Sequence, residues 1–119
     1  MSYVDGFVIP VPAANKQAFI EQAREFDALL MQFGALRVME CWGDDVPPGK
    51  LTDFYRAVQA VEDEAVVFSW VEWPDKATRD AGFAQVDALV KTDPRFKDKP
   101  MAFDGKRLIF GGFSPVVEL

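Results

Sequence analysis

The chain has 119 residues, half of them hydrophobic and 11 of them Phe, which is one domain's worth of sequence with enough apolar mass for a core. Thirteen Lys and Arg stand against 19 Asp and Glu, His is absent and Cys41 is alone. These counts exclude an intrachain disulfide, Ser-His-Asp and Cys-His nucleophile systems, His-ligated haem and structural zinc, and a net charge of −6 repels a phosphate backbone.

The expectation is a single domain over residues 1–119 with no metal, no cofactor, no nucleic-acid partner and no membrane partner. Residues 1–5 lack the basic and apolar regions of a secretory signal, and no apolar run approaches the roughly 18 residues of a membrane span, which points to a cytoplasmic protein.

In chain order, Tyr3 to Pro12 is rich in aromatic and β-branched residues and reads as a strand, which Pro10 and Pro12 should fray or leave at an edge. Residues 15–33 switch to a helical period: Phe19, Ala23, Phe26, Leu30 and Phe33 form one face, a stripe explained by core packing. Asn15 is placed to cap this helix and Gly34 to end it. Leu36 to Trp42 alternates as a second strand. Residues 43–50 are dense in turn formers, and Asp44-Asp45 there is a solvated pair rather than a metal site.

Residues 51–59 fit a helix face and a strand equally. A strand over 53–59 is preferred, because a hairpin with 65–73 would satisfy the backbone of both. Val66 to Trp73 is the clearest strand. Asp75 is the expected N-cap of a second helix over 76–91, and Asp93-Pro94 opens a short turn through Phe96. Arg107 to Phe113 is the last strand, where Gly111-Gly112 marks a bulge or a close approach by another group.

The order β-α-β, long loop, β-α-β predicts an α+β, ferredoxin-like βαββαβ fold: four antiparallel strands with both helices on one face. Large apolar residues occupy both parities of the strands, as in Phe7 and Val8 or Val38 and Met39. A second copy of the same sheet is the simplest cover for the face without helices, so a two-fold homodimer is expected.

Three segments in this order, Glu40-Cys41-Trp42-Gly43-Asp44-Asp45-Val46-Pro47, Phe68 to Pro74 and Phe103 to Phe113, resemble the small bacterial YbaA-like family, domain of unknown function 1428. The resemblance runs over nearly the whole chain and implies the dimeric α+β barrel superfamily, with no catalytic mechanism attached. That superfamily also holds cofactor-free monooxygenases of polycyclic aromatic substrates and haem-degrading enzymes. The latter need a histidine, so that branch does not fit this chain. The monooxygenases use a cleft between sheet and helices.

Polar residues embedded in strands are the candidates for chemistry. Asp5, Glu40, Ser69 and Glu72 lie in strands, and Asp5 with Glu40 is the pair placed to act as acid or base in an apolar cleft. Trp42 and Trp70 supply flat walls for an aromatic ligand, and Arg79, early in the second helix, reaches to an anionic group. The competing account pairs each carboxylate with an arginine or with solvent. Cys41 has no base beside it in sequence and reads as an inert thiol. Two functions follow: binding of a small aromatic or apolar molecule between sheet and helices, or a non-catalytic homodimer that serves as a protein-interaction module.

Overall fold

A computed structural model describes residues 2–119. Its elements are β1 (Tyr3–Pro12), α1 (Lys16–Gln32), β2 (Arg37–Trp42), the one-turn α2 (Phe54–Ala57), β3 (Glu64–Trp73), α3 (Lys76–Thr92) and β4 (Ile109–Phe113). The four strands form one sheet in the order β2-β3-β1-β4, and every neighbouring pair is antiparallel. This is the expected ferredoxin-like arrangement.

Alternation decides the faces. Asp5, Ile9 and Val11 of β1 and Val67, Ser69, Val71 and Trp73 of β3 share one parity, and all are buried. The helices lie on that side. Leu29 and Leu30 of α1 and Val86 of α3 close with Val71 and Trp73 into one core cluster, while Phe19 of α1 joins Ile9, Val11 and Val67 in a second. Each such apolar side chain stabilises the fold by about 1.5–3 kcal/mol on burial. The helices pack closely because Gly82 leaves room: a Cβ there would sit 2.8 Å from a Trp73 ring atom.

The opposite parity makes an open face. Val4, Gly6, Val8, Phe68, Trp70, Ile109 and Phe113 line a broad apolar groove of about 840 Å³. Phe68 is 45% exposed and Phe113 60% exposed.

Several expectations change. Residues 53–59 do not form a strand, and there is no hairpin with β3. Asp53 instead accepts the Arg56 backbone N–H at 2.8 Å and the Gly49 N–H at 3.2 Å, capping the turn α2, and the Arg56 guanidinium binds the carbonyls of Gly49, Lys50 and Leu51. A side chain that satisfies local backbone competes directly with a ladder. Both sides of β3 are taken by β1 and β2.

Asn15 occupies the position before α1 but caps nothing. Its amide donates to the Ala102 carbonyl at 2.9 Å, fastening the 93–108 segment to the start of the helix. Asp75 caps α3 as expected, accepting from the Thr78 N–H at 2.7 Å, and Gly34 takes the left-handed conformation at φ +118°. The last strand starts at Ile109, not Arg107, because Arg107 turns away to bind both oxygens of Glu64 at 2.6 Å and the Asp104 carboxylate. The prolines of β1 need no frayed strand. β4 pairs only with residues 4–8, so β1 is locally an edge at Pro10 and Pro12.

Candidate functional site

The sheet face beneath the helices carries two carboxylates in very different surroundings. Asp5, the third residue of β1, is 2% exposed. Opposite it on β4 is Gly112, and on β3 Val71. Arg79, in the first turn of α3, places Nη2 2.7 Å from Asp5 Oδ1 and Nε 3.1 Å from Oδ2, and the Trp73 indole N–H donates to Oδ2 at 2.9 Å. The guanidinium also lies 5.1 Å from the Tyr3 ring and 5.4 Å from the Phe83 ring, and binds Asp80 at 2.9 Å. Its pKa is pushed up further, chiefly by the hydrogen bonds to Asp5. Gly112 explains part of the glycine pair: a Cβ there would fall on the Tyr3 hydroxyl and 2.8 Å from Arg79 Nη2. The close approach is real, and β4 runs without a bulge in its register with β1.

Glu40, on β2, has no such partner. It lies in register with Ser69, which in turn lies in register with Phe7, so Ser69 is buried between the two regions. Glu40 meets Asp27 of α1. Burial, the hydrogen bond to Glu40 and the charge of Glu40, in that order, push the Asp27 carboxyl up to about 9. At neutral pH Asp27 therefore keeps its proton.

Beside this pair is a pocket of about 300 Å³ between α1 and β2, lined by Lys16, Phe19, Ile20, Ala23, Arg24, Glu40 and Trp42. It forms because α1 presents positions 16, 20, 23 and 24 at helical spacing toward β2. Phe19 and Trp42 supply an aromatic corner with ring centroids 6.3 Å apart, and Lys16 Nζ stands 5.2 Å from the Trp42 ring centroid.

The fold thus brings Glu40 and Trp42 together in one pocket and puts Asp5 and Arg79 in contact elsewhere. Asp5 does not join Glu40, because Arg79 and Trp73 claim it. Trp70 does not face the helices at all. It belongs to the open face, where its indole donates to Glu72 at 2.9 Å and its ring meets Phe68. Cys41 is half-buried on that open side. Asp27, Lys16 and Arg24 were not singled out in the sequence, where they sit among the polar fill of α1. The signal was the spacing of Lys16, Ile20, Ala23 and Asp27, which runs beside the Phe stripe. Among the described residues, no cluster of three or more His, Cys, Asp or Glu is placed to hold a metal ion, and no helix is long and apolar enough to cross a membrane.

Comparison with known proteins agrees with this architecture. A family model described as "Protein of unknown function (DUF1428)" matches residues 2–105. The Escherichia coli K12 protein YbaA, itself uncharacterised, is 51% identical over 120 residues, covering 99% of each chain. A dimeric ferredoxin-like protein from an uncultured marine organism superposes with a TM-score of 0.65 at 12% identity, over 99% of this chain and 98% of that one. A monooxygenase of Streptomyces coelicolor, solved with nanaomycin D, gives a TM-score of 0.56 at 13% identity, over 99% of this chain and 90% of that one.

Proposed function

The chain belongs to the DUF1428 family, and from that premise we propose that it is a cytoplasmic homodimer that binds a small aromatic or apolar molecule in the pocket between α1 and β2. The observation that carries the binding role is the pocket itself. It combines a Trp42–Phe19 aromatic corner and apolar Ile20 and Ala23 with three charged side chains, Lys16, Arg24 and Glu40. Ligand sites have this composition, with apolar walls and few polar groups to set orientation. Its volume of about 300 Å³ suits one or two rings. That a monooxygenase of the same fold is solved with nanaomycin D supports the role by analogy of fold.

The test is a titration with neutral 2-naphthamide, followed through the three tryptophan indole N–H signals by NMR. The Trp42 signal should shift, and Ala23→Phe, which fills the pocket, should abolish the shift. A shift confined to Trp70, on the opposite face, would overturn the assignment.

Pairing through the open face is favoured by a separate observation: Phe68, Ile109 and Phe113 expose large apolar surface on one contiguous side. Contiguous apolar surface of this kind marks an interface. Light scattering should give twice 13.3 kDa, and Phe68→Asp should give a folded monomer. A monomeric parent protein would remove the dimer from the proposal and leave the pocket standing.

A further inference from the structure

Charge in the α1–β2 pocket is unbalanced: two cations and one carboxylate line it. Arg56, Lys76, Arg79, Lys91, Arg95 and Arg107 each have a carboxylate at ion-pair distance. Lys16 and Arg24, two turns apart on one side of α1, line the pocket, and no ion pair is found for either among the described residues. This occurs in an acidic chain and with Glu40 in the same pocket. Glu40 faces Asp27 of α1 instead, and burial pushes that Asp27 carboxyl well above the ordinary carboxylate range. Two cations against one negative charge leave one positive charge in the pocket without a counter-charge. Lys16 meets the face of Trp42 in place of an anion.

We propose that the pocket selects a small aromatic monocarboxylate, its rings against Trp42 and Phe19 and its carboxylate met by Lys16 and Arg24. This deepens the binding role proposed above and rests on it. A monoanion supplies the missing charge. A dianion would bring excess negative charge toward Glu40, and a neutral ring would leave the imbalance in place. Arginine offers a planar fork to a carboxylate.

The experiment compares 2-naphthoate with 2-naphthamide, which has the same rings and no charge, by calorimetry on the full chain. The acid should bind at least ten times more tightly than the amide. In the K16M/R24M double variant, shown to be folded by a parental circular dichroism spectrum and melting temperature, that ratio should fall to within about threefold of unity. Raising NaCl from 50 to 500 mM should weaken the acid and leave the amide unchanged in the parent protein. Equal affinity for acid and amide in the parent would overturn the anion preference and leave the pocket intact. A preference that survives in the double variant would place the carboxylate elsewhere and overturn the assignment to Lys16 and Arg24. Absence of binding by both compounds would overturn the pocket as well.

Discussion

Asp5 and Glu40 are carboxylates on the same side of one sheet, yet they have opposite fates. Asp5 receives a guanidinium and an indole N–H, and its charge is answered completely within the protein. Glu40 receives another carboxyl, that of Asp27, which burial and Glu40 hold well above the ordinary carboxylate range. The difference comes from which helix residue lies above each: Arg79 of α3 in one case, Asp27 of α1 in the other. A buried ion pair holds its geometry because removing either partner strands a charge. A carboxyl pair is soft, with its protonation open to solvent pH and to whatever enters beside it.

The largest test of this contrast is Asp5→Asn. It leaves the Arg79 charge without its main counter-charge and should destabilise the fold by about 3 kcal/mol, read as a lower urea midpoint with unchanged slope. A variant as stable as the parent would show that Asp5 is no clamp. Next is Gly112→Ala, which pushes a methyl group into Tyr3 and Arg79 and should cost about 1–3 kcal/mol as overpacking.

Asp27→Asn tests the other side. The folded-state pKa of Asp27 is raised above its unfolded value of about 3.8, so its contribution to stability is fully present below that pH. It is lost progressively as pH rises toward about 9. The parent should therefore weaken across this window, and Asp27→Asn should flatten the decline and exceed the parent at pH 8 by on the order of 1 kcal/mol. Thermal melts at pH 5, 7 and 9 decide it, and parallel curves for parent and variant would break the comparison. The smallest effect belongs to Lys76→Met. It removes an exposed pair with Asp80 at the rim of the Asp5 cluster and should change stability by less than about 0.5 kcal/mol.

The two central strands and the two long helices were legible in the sequence because their periods persist over ten residues or more. The open apolar face was legible too, since Val8, Phe68 and Ile109 stand on a parity that neither long helix covers. Residues 53–59 were not, because four residues of helix are too few for a period to emerge. What fixes them is the bond of Asp53 to local backbone. Glu40 and Trp42, singled out by residue type, both line the cavity between α1 and β2. Whether Asp5 meets Glu40 or Arg79 depends on a partner 74 positions away. Parity put Trp70 and Ser69 on opposite faces, a distinction that residue type alone does not carry.

The half-length pairing of β4 with β1 has a consequence for how copies of this chain can meet. A strand that loses its neighbour partway offers unpaired backbone to any passing strand, the usual route to sheet growth and fibre formation. Here that stretch is largely buried at Ile9, Pro10 and Val11, and Pro10 and Pro12 have no N–H to donate, so a foreign strand finds a covered and broken template. The outer strands are short, five residues in β4 and six in β2. Sideways polymerisation is thereby discouraged, and the sticky surface that remains is the flat of the sheet, where pairing closes after two copies instead of continuing.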